Sequence, residues 1–112
     1  MPLKKPVHAN ATYTVRFSSH ITSKGSALIA VGWVPKDGNA VPDPRDIVVA
    51  AGGTSQIDGK VPAFADARLM EIIVDVPDNG SGQLEVLENG KLHSDATIAE
   101  DTTWKMLVEE AQ

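Results

Sequence analysis

The sequence predicts an all-β fold, a small antiparallel β-sandwich of about seven or eight strands. Three observations carry this. Short apolar runs are separated by turn residues at roughly 8–12-residue intervals, the rhythm of sandwiches and barrels. Ile72, Ile73 and Val74 place three β-branched residues in a row, which favours strand over helix. Asn89-Gly90, lying between two strand-like runs, is the preferred dipeptide of a two-residue hairpin turn.

At 112 residues the chain is most simply one domain. Hydrophobic residues make up 42% and aromatics only 4%, so the core must be built mainly from Val, Ile, Leu and Ala. The predicted organisation is a flexible N-terminal arm over residues 1–10 and a single sandwich domain over 11–112. Pro2 and Pro6 interrupt regular structure in the arm, and Lys4 and Lys5 keep it wet. Deleting the segment through His8 is therefore expected to leave the fold intact.

The first strand is read from "ATYTVRFSS". Tyr13, Val15 and Phe17 point one way, and Thr12, Thr14, Arg16 and Ser18 the other. "HITSKGS" breaks it, with Gly25 as the turn residue. "ALIAVGWV" then reads as a central strand that is apolar on both faces, with Gly32 allowing a close approach. "PKDGN" is a turn, with Pro35 presetting φ and Gly38 free to take the left-handed conformation.

"AVPDPRD" is expected to be an extended, solvated connection, because Pro42 and Pro44 lack ladder donors. "IVVAA" follows as a short strand from Ile47, stopped by Gly52-Gly53. "TSQIDGKVPAF" suggests a small hairpin around Asp58-Gly59, with Pro62 confining its second arm to an edge. In "ADARLMEIIVDV", Ala65, Leu69, Ile72, Ile73 and Val76 also fit a helical face, but the β-branched run favours strand. "PDNGSG" is a loop, and "QLEVLENGKLHSDATIA" a hairpin. The tail "DTTWKMLVEEAQ" alternates Trp104, Met106 and Val108 as a strand would. Trp104, Leu107, Val108 and Ala111 also have the spacing of a short C-terminal helix over residues 102–111. Strand is the preferred reading.

The formal net charge of -5 has the wrong sign for a nucleic-acid or anionic-membrane partner, neither of which is expected. The absence of cysteine removes disulfides, thiolate catalysis and Cys-ligated zinc. The N-terminal stretch "MPLKKPVHANA" lacks the apolar core of a signal peptide, and no apolar run approaches the ~20 residues of a membrane span. A cytoplasmic location is expected. Asn10-Ala11-Thr12 matches a glycosylation sequon that would then go unused.

Candidate sites are few. His8, His20 and His93 are not at metal-pair spacing, and surface or loop histidine is the preferred reading. Asp37, Asp43, Asp46, Asp75 and Asp78 fall in or beside predicted turns. Carboxylates gathered at one end of a sandwich can ligate calcium, but Asp is common in turns for local reasons. No metal or other cofactor is expected. Tyr13, Trp33 and Trp104 would stack on sugar rings if exposed; Trp33 reads as core, which leaves Trp104, between Thr103 and Lys105, as the candidate. Asp43, Arg45 and Asp46 lie in a proline-stiffened segment that would serve as a preformed recognition loop or as a rigid connector.

The strand pattern resembles an immunoglobulin-like sandwich in topology only, since no Cys-Trp-Cys spacing is present. The function expected first is a non-catalytic binding or assembly module that recognises a protein surface and self-associates, because a strand apolar on both faces needs a cover. The second is a carbohydrate-binding module using Trp104. The third is a small enzyme with a site between subunits near His20 or His93, which requires a concave pocket holding a histidine beside a carboxylate.

Overall fold

Residues 4–20, 25–34, 41–49, 52–63 and 69–111 are described by the computed structural model. They form nine strands: β1 (Lys4–His8), β2 (Thr12–Ser19), β3 (Ala27–Val34), β4 (Val41–Val49), β5 (Thr54–Lys60), β6 (Leu69–Asp75), β7 (Gly82–Glu88), β8 (Lys91–Ile98) and β9 (Thr102–Glu109). Two sheets result, one of five strands in the order β1-β9-β6-β3-β4 and one of four in the order β5-β2-β7-β8. Every pairing is antiparallel except β1 with β9. The protein is an all-β sandwich, and among the described residues no helix is long and apolar enough to cross a membrane.

Alternation puts one face of each strand into the core. Tyr13, Val15 and Phe17 of β2 are buried, as are Leu84 and Val86 of β7. Facing them are Ile29 and Val31 of β3, Met70, Ile72 and Val74 of β6, and Trp104, Met106 and Val108 of β9. The Trp33 ring meets Tyr13 edge-on, with centroids 5.7 Å apart. Gly82 opens β7 because the Phe17 ring occupies the space its Cβ would take.

The strand readings of 69–75 and of the C-terminal segment agree with the structure, so no helix at 102–111 lies across β3. The β7–β8 hairpin turns on Asn89 (φ 51°) and Gly90 (φ 80°), the left-handed pair a type I′ turn requires. Asn89 Oδ1 also accepts from the Thr12 N–H at 3.0 Å, tying the turn to β2.

Three expectations are corrected. Within the predicted loose arm, Lys4–His8 forms strand β1 beside β9, with Val7 fully buried. Expendability of the arm loses its basis, because the segment supplies a core side chain. The predicted connection over residues 40–46 belongs, from Val41 onward, to a single strand, β4, at the edge of its sheet. An edge strand tolerates prolines, and the β3 ladder is irregular between the Asp46 and Pro42 pairings, where Pro44 lies. Finally, Asp58-Gly59 is no turn. Both residues pair with β2 inside a continuous β5, and Thr14 Oγ1 donates to Asp58 Oδ1 at 2.6 Å, so cross-strand pairing overrides the local turn signal. The predicted turn at 35–39 and the start of "ADARLM" lie outside the described residues.

Candidate functional site: an apolar sheet face and its closed edge

The outer face of the four-stranded sheet is polar, and its side chains bond to one another across strands. Besides Thr14 to Asp58, Arg16 Nε donates to Gln56 Oε1 at 3.1 Å and Thr54 Oγ1 to Ser18 Oγ at 3.0 Å. Arg16 also reaches the Glu85 carboxylate at 3.6 Å. Thr97 Oγ1 donates to Gln83 Oε1 at 3.1 Å. An apolar spot breaks this surface where Leu87 pairs with Leu92, which is 55% exposed.

The outer face of the five-stranded sheet is built differently. Leu28, Ala30, Gly32 and Val34 of β3 alternate with core residues and point outward, each partly exposed. The register sets rows across three strands. Val34 stands beside Leu69 and then Leu107, an apolar row ending in a leucine that is 40% exposed. Gly32 stands beside Glu71 and Lys105, and Ala30 beside Ile73 and Thr103. A charged pair of opposite sign thus lies between two largely apolar rows. No ion pair joins Glu71 to Lys105 among the described residues.

The β1 edge of this sheet is closed by the opposite sheet. Pro6 has no N–H, its carbonyl oxygen lies 2.9 Å from His93 Nε2, and the His8 N–H donates to Glu88 Oε2 at 2.7 Å. A carbonyl only accepts, so His93 Nε2 donates in that bond, and Nδ1 lies 2.6 Å from Ser94 Oγ. The β7–β8 ladder pairs Val86 with Ser94 and Leu87 with Leu92, leaving His93 as an extra bulged residue aimed at β1. The Pro6 carbonyl and the His8 N–H, which would otherwise help template pairing with another chain, are thereby satisfied.

Most sequence-predicted site residues do not converge. Trp104 is 4% exposed, so its indole offers no stacking face to a sugar. Asp43, Arg45 and Asp46 lie on edge strand β4, on the far side of the sheet from the β1 edge; the structure describes their backbone alone. His20 is exposed and sits 3.2 Å from Ser81 Oγ. The histidine beside a carboxylate is His8, whose Nδ1 lies 3.3 Å from Glu88. It borders a shallow cavity of about 200 Å³ with Asn10, Ala11 and Asn89. His8 and Glu88 are 80 residues apart, so no spacing in the sequence signals them. Of the aspartates weighed as calcium ligands, Asp75 and Asp78 are exposed, and Asp37 lies outside the described residues. Among the described residues no group of three His, Cys, Asp or Glu could hold a metal ion.

No family model, curated protein or solved structure matches the chain.

Proposed function

We propose that the protein is a non-catalytic binding or assembly module whose working surface is the outer face of the five-stranded sheet and whose partner is a second copy of itself. The observation that carries this is the contrast between the outer faces. Where β2 presents hydrogen-bonded polar side chains, β3 presents Leu28, Ala30, Gly32 and Val34, and Leu69, Ile73 and Leu107 extend the apolar surface over β6 and β9. An antiparallel sheet with one wet face normally reads polar on that face, and contiguous exposed apolar surface marks a place of association. The immunoglobulin-like likeness belongs to the same proposal, supported by two antiparallel-dominated sheets.

Light scattering coupled to size exclusion at micromolar concentration tests the reading. The expected mass is at least twice the 11.9 kDa of one chain. Leu107→Lys, which puts a charge at the end of the apolar row, should return the mass to a single chain. A single-chain mass for the unmodified protein, at every concentration, would refute the proposal.

A further inference from the structure

The position of one charged pair on the apolar face specifies how two copies meet. Glu71 and Lys105 are cross-strand neighbours on β6 and β9, Lys105 exposed and Glu71 partly so. Leu69 and Leu107 pair on one side of them, and Ile73 and Thr103 on the other. Two sheets packed face to face as a closed pair are related by a two-fold axis lying between the sheets. An axis across the strands through this row would set Glu71 against Glu71 and Lys105 against Lys105. An axis along the strands, midway between β6 and β9, sets Glu71 of each copy over Lys105 of the other. That second arrangement also lays Leu69 over Leu107 twice.

We infer that the protein forms a two-fold dimer through this face, with its axis along β6 and β9 and two reciprocal Glu71–Lys105 pairs at its centre. This rests on the functional reading above and adds the symmetry to it. That axis lays β1, β9, β6 and β3 of one copy over β3, β6, β9 and β1 of the other, with β4 outside the overlap. Four strands about 4.8 Å apart, of five to eight residues rising about 3.4 Å each, offer roughly 450 Å² per copy. Two such faces bury roughly 900 Å², the size of a weak, transient interface. The dimer is accordingly a reversible one, and charge complementarity at its centre sets its register.

Charge reversal provides the test. Glu71→Lys alone would bring lysine against lysine in both central pairs, and Lys105→Glu alone would bring glutamate against glutamate. Each variant should dissociate at least about tenfold more readily than the parent, since facing like charges are strongly unfavourable. Mixed in equal amounts, the two variants should recover a dimer, because every facing pair is then of opposite sign. If Glu71→Lys does not fold, salt provides a second measurement on the unmodified protein. Raising sodium chloride from about 50 to about 500 mM should weaken the dimer severalfold by screening both pairs. A mixture that stays monomeric, or a dimer that salt leaves unchanged or tightens, would overturn the arrangement. If Leu107→Lys still dissociates that dimer, the apolar-face reading survives its loss. A parent protein that is monomeric throughout would sink both.

Discussion

On its outer side β2 carries Thr12, Thr14, Arg16 and Ser18, while β3 carries Leu28, Ala30, Gly32 and Val34. Both strands are eight residues long and each sends alternate apolar residues into one core. The inward halves are therefore under the same demand, burial against the opposing sheet. The outward halves are free of it, and their composition reports what surrounds each face. Polar side chains that bond to one another suit water. Small and aliphatic side chains around a central pair of opposite charges, with Asp75 beside Leu28 at the margin, suit another protein surface. The comparison teaches that the informative feature of this chain is the outer half of its five-stranded sheet.

Adjacent isoleucines on β6 break the comparison most directly if it is wrong. Ile72 points inward and is fully buried; Ile73 points outward and is partly exposed. Ile72→Ala should cost about 2–5 kcal/mol, the loss of a packed core side chain together with the cavity it leaves. Ile73→Ala should cost under about 1 kcal/mol in dilute protein and more as concentration rises, because its cover comes from association. Chemical denaturation at two protein concentrations separates the cases. Equal, concentration-independent losses would mean that the outer face stabilises the single chain just as the core does.

Removing residues 1–8 asks whether the edge of this sheet, rather than its face, holds copies together. Val7 is fully buried, and burying such a side chain contributes about 1.5–3 kcal/mol. The contacts of Glu88 with the His8 N–H and of His93 with the Pro6 carbonyl oxygen add about 1 kcal/mol each at most. Deletion should therefore lower stability by about 2–4 kcal/mol. It should also uncover the β9 edge, which invites pairing between chains. Loss of β1 should broaden the mass distribution toward larger species; a truncated chain with an unchanged midpoint and mass would show that β1 neither stabilises nor shields.

Local alternation made most of this architecture legible. Tyr13, Val15 and Phe17 announced β2, and Asn89-Gly90 announced the β7–β8 hairpin, because both signals act within a few residues. The signals that misled were also local. Pro6, Pro42 and Pro44 read as interruptions because a proline costs a ladder donor, yet edge positions on β1 and β4 do not need every donor. Asp58-Gly59 read as a turn because nothing near it announces that Thr14, 44 residues away, holds Asp58 in a ladder. The apolar face was partly visible in "ALIAVGWV", but its rows depend on which strands lie beside β3. Non-consecutive neighbours such as β3 with β6 and β6 with β9 come from topology, which the chain does not spell out.

The smallest expected effect belongs to the polar face. Thr14→Val removes the hydroxyl that donates to Asp58 Oδ1 at 2.6 Å on an exposed surface. A hydrogen bond to a charged group is worth about 1.5–3 kcal/mol where it is shielded, and less where water replaces it. Asp58 also accepts from Gln56 Nε2 at 2.9 Å, so its carboxylate keeps a partner. Valine in turn suits a pleated strand at least as well as threonine. The net change in stability should stay within about 0.5 kcal/mol, the range of ordinary surface substitutions. The mass in light scattering should not change, even though an apolar side chain has been added to an outer face. One valine among hydrogen-bonded polar neighbours makes no contiguous patch, whereas Ile73 stands beside Ala30 on a face that also carries Leu28, Leu69 and Leu107. If Thr14→Val altered the assembly more than Ile73→Ala, the two faces would have to exchange roles.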